Sequence, residues 1–173
     1  MRIAVIALVC LCCSGILNRT AAQGINRKAF ALTVMVDSTA AYVDSIKPGP
    51  FIQGPNILQI YPGEKVYLEV EEIKDAIVRL VAVAANKNPL RTLEISLVQN
   101  AKGRVHESMM LKVVNPFKKD LIYRASAFFY EPKKWASTSV LPVSAGLASY
   151  ESWSDIIITI ALYDWKLMDP TNR

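Results

Sequence analysis

The chain has very little cysteine, a single histidine and only a mild surplus of positive charge, and each shortage removes a class of chemistry. Its three cysteines stand together at Cys10, Cys12 and Cys13, with none after them. A disulfide needs two thiols facing each other across a chain reversal, and a zinc site needs ligands converging from several directions. Three cysteines within four positions of one apolar run supply neither. The lone histidine, His106, cannot build the usual zinc centre. A catalytic triad would need it beside a serine and an acid from elsewhere, and no Gly-x-Ser-x-Gly elbow offers that serine. Gly-rich phosphate loops, paired Cys or His spacings and dinucleotide fingerprints are missing too. Neither a cofactor nor a metal is expected.

The cysteines belong to an export signal. Arg2 opens the chain with one positive side chain, Ile3 to Leu17 carry no charge, and Asn18-Arg19-Thr20-Ala21-Ala22 end in small residues suited to signal peptidase. Cleavage is expected after Ala22. The apolar run is broken by Ser14 and Gly15 before it reaches the roughly 20 residues of a spanning helix, which disfavours an uncleaved anchor. Lipid attachment would fall on Cys13, because Val9 and Leu11 precede the other two cysteines.

After cleavage the chain runs from residue 23 to 173 as a single domain, and losing Arg2 and Arg19 lowers the net charge from +5 to +3. That length can bury a core without disulfides. The charge is too mild to imply nucleic acid. Lys118-Lys119 and Lys133-Lys134 read as solvated loop lysines, and no stable membrane insertion is expected after cleavage.

Period-two alternation between short turns decides the fold class. Strands are expected over Phe30 to Val36, Ile57 to Tyr61, Lys65 to Glu71, Ala76 to Ala85, Thr92 to Val98, Val105 to Val114, Leu121 to Tyr130 and Ile156 to Trp165. Asp37 or Ser38 is placed to cap a short helix through Val43. Lys47 to Asn56, rich in proline and glycine, reads as a loop, and Lys133 to Asp155 as a long ordered loop folded over the sheet as a lid. Seven or eight strands joined by short turns predict an all-β fold: two antiparallel sheets in an immunoglobulin-like sandwich, with a jelly roll or small β-barrel as the alternatives.

The candidate chemistry is thin. Glu69 and Glu71 lie two apart on one strand face, where they suit a charged outer surface better than a glycosidase pair or a calcium site. His106 reads as a solvent-facing strand residue. Ile156 to Trp165 is apolar on both faces, so its second face must be covered by a loop or by another protein. Within it Tyr163 and Trp165 stand two apart, and with Trp135, Tyr150 and Trp153 they form the candidate binding residues, on which a sugar ring would stack.

The functional expectation is therefore an exported, secreted or periplasmic, non-enzymatic protein that binds another envelope or extracellular protein or its own copies. Lipid anchoring through Cys13 is the alternative location. A carbohydrate-binding module is the alternative function, and a small glycoside-type hydrolase built on Glu69, Glu71 or His106 stands third.

Overall fold

The computed structural model describes residues 24–170, so the expected export signal, its cleavage site and Cys13 lie outside the described residues. Among those residues the chain forms strands and no helix: β1 (Asn26–Arg27), β2 (Phe30–Met35), β3 (Ala41–Ile46), β4 (Gly49–Pro50), β5 (Ile52–Gln53), β6 (Ile57–Ile60) and β7 (Lys65–Ile73) in the first half. The second half holds β8 (Ala76–Val83), β9 (Thr92–Lys102), β10 (Val105–Val114), β11 (Asp120–Phe129), β12 (Lys134–Thr138), β13 (Ala148–Trp153) and β14 (Ile157–Met168). The fold is all-β and every ladder is antiparallel.

Besides the two-stranded pairs β1–β4 and β2–β3, the other ten strands fall into two runs. One has the order β12-β11-β14-β6-β5 and the other β8-β7-β9-β10-β13. A single residue pair, Lys166 with Ala76, joins them through β14 and β8. At the opposite end the Trp153 indole N–H on β13 donates to the Thr138 hydroxyl on β12 at 2.8 Å, so the outermost strands of the two runs meet. Between the runs lies one apolar core that takes Leu58 and Ile60 from β6, Leu68 from β7, Leu93, Ile95 and Leu97 from β9, Met109 and Leu111 from β10, and Ile160 and Leu162 from β14. The arrangement is consistent with a β-sandwich.

The expected alternation explains the long strands. In β7, Val66, Leu68 and Val70 are buried while Tyr67 and Glu69 face outward, as a half-buried strand requires. Tyr61-Pro62-Gly63-Glu64 turns β6 into β7. Pro62 fixes the second position, Gly63 takes a φ of 91° that an L side chain resists, and Glu64 N donates to Tyr61 O at 3.0 Å.

Three sequence expectations are corrected, the first being the 47–56 loop, within which Gly49–Pro50 pairs with β1 and Ile52–Gln53 with β6 as the short strands β4 and β5. The expected short helix after Asp37 is absent, and Ala41–Ile46 is instead β3, paired in register with β2. Asp37 does cap, but it caps a turn: its Oδ1 accepts from Thr39 N, Ala40 N and the Thr39 hydroxyl. The expected 133–155 lid is also not a lid, because β12 pairs with β11 and β13 with β10 as the end strands of the two runs.

The β2–β3 hairpin also accounts for the doubly apolar β14. Leu32, Val34 and Ile46 form a second small core with Ile158, edged by Phe30, Tyr42, Tyr61, Phe128, Tyr130 and Ile156. An isolated two-stranded hairpin is marginal in water. Docking supplies what it lacks, because each fully buried aliphatic side chain contributes about 1.5–3 kcal/mol.

Candidate functional site

The five aromatic candidates are not brought together. Trp165 is buried in the main core, stacked on Tyr123 with ring centres 5.2 Å apart, and its indole N–H donates to Asn56 O at 2.9 Å. Tyr163 faces the other way, half-buried, with its hydroxyl 3.2 Å from that of Ser126. A β-bulge separates them. Between Tyr163 and Lys166 the strand uses one residue more than its partner does between Ile122 and Arg124, and Asp164 sits at a φ of 56°. The extra residue reverses which face the following side chains take, so Leu162 and Trp165 point inward where strict alternation would have put Trp165 beside Tyr163.

The other three rings lie apart as well. Trp135 on β12 is half-exposed against Phe128. Trp153 on β13 packs on the main core with its N–H held by Thr138. Tyr150 stands in solvent on β13.

Tyr150 closes a row that crosses one outer face. Lys65, Ser96, Lys112 and Tyr150 are successive cross-strand partners, and the neighbouring row holds Tyr67, Glu94, Val114 and Ala148. Glu94 sits between the two lysines, with its Oε1 2.9 Å from Lys65 Nζ and 3.4 Å from Lys112 Nζ, while the Lys65 ammonium lies 5.1 Å from the Tyr67 ring centre. Burial works against the Glu94 charge, yet the hydrogen bonds from Lys65 and Lys112 hold its carboxyl below the usual range. The result is a face on which two tyrosines flank an ion cluster of two lysines and one glutamate, with one net positive charge.

His106 is not simply solvent-facing. It is half-buried on β10, where its Nδ1 lies 2.8 Å from Gln99 Nε2 and its Nε2 3.0 Å from Ser154 O. The amide nitrogen can only donate, so Nδ1 accepts and Nε2 carries the proton. The ring serves as a strut between β9 and the end of β13. Glu71 stands directly opposite Arg79 in the β7–β8 ladder, and Glu69 opposite Val81. With Arg91 and Asn88 these residues line a groove of about 380 Å³ that holds two carboxylates and two guanidinium groups. Among the described residues no group of three His, Cys, Asp or Glu stands close enough to hold a metal ion, and no helix is long and apolar enough to cross a membrane.

Three polar residues that the sequence did not single out organise this scaffold. Arg27, nearly buried, binds both oxygens of Glu64 at 2.6 and 2.9 Å and also Gln59 O, with its guanidinium between the rings of Phe51 and Tyr61 at 4.8 Å from each centre. Asn115, fully buried, donates to Lys119 O, Val143 O and Ser144 O and accepts from Phe117 N, which closes the 115–120 turn. Gln99 binds both backbone groups of Met35 as well as His106. Their signal lies in contacts up to 64 residues apart, which local pattern does not carry.

Comparison with protein-family models, with curated proteins and with solved structures finds no match to this chain.

One buried side-chain polar atom among the described residues has no partner, the hydroxyl of Tyr123. Burial pushes its phenol above the ordinary tyrosine range, and the charge of Glu151 adds to the effect. A buried donor left unpaired costs about 1–3 kcal/mol. Tyr123→Phe is therefore expected to raise stability by about 1 kcal/mol, read as a higher urea midpoint at unchanged slope. A lower midpoint would mean that the hydroxyl has a partner in solution.

Proposed function

We propose that the chain is an exported, immunoglobulin-like β-sandwich that works by binding another envelope or extracellular protein, without catalysis. The observation that carries this reading is apolar surface left in water along β13 and the segment leading into it: Leu141, Leu147 and Tyr150 are 69%, 58% and 59% exposed. Exposed apolar side chains concentrated along one segment are what an interaction site leaves in solvent before its partner covers them. Aromatic and aliphatic anchors of this kind dominate binding energy where a partner covers them. A sugar platform has weaker support, because Trp165 is in the core, Trp135 packs on Phe128 and Tyr150 stands beside Lys112 in the β10–β13 ladder.

The test is site-specific photo-crosslinking. Benzoylphenylalanine placed at Leu141 or Tyr150, irradiated in an extract of the producing cells, is expected to give one discrete protein adduct that the same probe at Glu107 does not give. Equal labelling at all three positions, or none, would count against the reading.

A further inference from the structure

We propose that the outer edge of β2 is a docking edge for one extended, uncharged peptide strand supplied by another protein. Along a strand, successive residues direct their N–H and C=O groups to alternate sides. Met35 spends both of its groups on the side chain of Gln99, at 2.8 and 2.7 Å, rather than on β3. Thr33 and Ala31, two and four residues earlier in the same strand, therefore turn their N–H and C=O the same way, away from β3. Beyond them lies a groove of about 450 Å³ bounded by Phe30 to Thr33 on one side and by Pro62, Gly63 and Glu64 on the other.

Edge strands in natural proteins are normally protected by charge, proline or a bulge. The sequence of β2, Phe-Ala-Leu-Thr-Val-Met, has none of these, and its ladder with β3 runs without a register shift. By contrast β3, the other edge of the hairpin, carries Asp44 and is followed by Pro48. Gln99 already shows how the edge is satisfied, its side-chain amide standing in for a strand residue at Met35 and leaving Thr33 and Ala31 for the occupant.

The far wall selects that occupant. A second copy that offered its own β2 would bring β3 with it as a further strand, whereas a single extended peptide brings only itself. Phe30 meets Tyr61, the residue before Pro62, edge to face with ring centres 6.2 Å apart, which ties the two walls together. The carboxylate of Glu64 is consumed by Arg27 and by Tyr61 N, so the groove presents no free charge. It fits an uncharged backbone with apolar side chains on the face toward Leu32. Main-chain hydrogen bonds supply affinity in this mode of recognition, and alternate side chains supply selectivity.

The proposal rests on the reading of the chain as a protein binder, and the two fail separately: crosslinks from the β13 rim report on that reading, the β2 amides on this edge. The probe is an acetylated and amidated hexapeptide of alternating valine and threonine, titrated into isotope-labelled protein and followed by amide NMR. Ala31 and Thr33 are expected to shift and gain protection from exchange. Thr33→Pro removes a donor that the β2–β3 ladder does not use, so it should fold normally and weaken the peptide by about ten-fold or more. Should that variant misfold, a peptide N-methylated at alternate residues, lacking donors toward β2, should fail to bind the unaltered protein. The proposal is overturned if the Ala31 and Thr33 amides do not respond, if the shifts map to β12 or β13, if Thr33→Pro or the methylated peptide binds as well as the parent, or if the edge proves to be filled by a second copy in a dimer that Thr33→Pro dissociates.

Discussion

Arg27→Ala is expected to destabilise the protein by about 3–5 kcal/mol, the range for breaking a buried ion pair from one side. The side chains of Arg27 and Glu64 are only 5% and 11% exposed, so the carboxylate left behind is not rescued by water. The guanidinium also fills the space between Phe51 and Tyr61 and satisfies Gln59 O, contributions that a shorter side chain loses together with the charge. For a chain of this size each kcal/mol moves the melting temperature by about 2–4 °C, so a fall of about 10 °C is expected in a thermal melt. Arg27→Lys keeps the charge but not the two-pronged geometry and should fall between. Arg27→Met combined with Glu64→Gln removes both charges while leaving an acceptor for Tyr61 N, and should recover most of the loss. A single Arg27→Ala change costing under about 1 kcal/mol would mean that the pair is solvated.

Trp165→Ala should cost about 3–5 kcal/mol as well, by opening a cavity beside Tyr123 and leaving Asn56 O without its donor. Trp135→Ala, on an end strand with half its surface in water, should cost about 1 kcal/mol or less. Denaturant unfolding of the two variants separates a core tryptophan from a surface one directly. A mild effect at Trp165 would return that ring to the surface and with it the idea of an aromatic platform.

The contrast between those two tryptophans shows where sequence reading works and where it stops. Alternation located the long strands because their buried positions repeat every second residue, as at Leu93, Ile95 and Leu97. The same rule put Trp165 beside Tyr163, and the bulge at Asp164 broke it, since one inserted residue exchanges the faces of everything downstream. Strands β12 and β13 were hidden for a related reason: Lys-Trp-Ala-Ser-Thr and Ala-Ser-Tyr-Glu-Ser-Trp at the ends of the two runs bury little and so show little period. The sequence offered Asp37 or Ser38 as a helix cap, and Asp37 caps a turn instead, because a helix start and a tight turn use the same carboxylate-to-amide hydrogen bonds. The covered second face of β14 was legible as a demand, and the identity of its cover, the β2–β3 hairpin, was not. Arg27 looked like one more basic residue because its partner lies 37 positions away.

Arg27, Asn115 and Gln99 spend their polar groups on structural bonds, and the proposed mode of action rests on the outer edge of β2. Native-state amide exchange along β2 in the isolated protein tests this most directly. Slow exchange at Leu32 and Val34, which pair with β3, and at Met35, held by Gln99, with fast exchange at Ala31 and Thr33, is the predicted pattern. Uniform protection from Ala31 to Met35 would show the edge already covered, and uniform loss would show the hairpin undocked; either would contradict it.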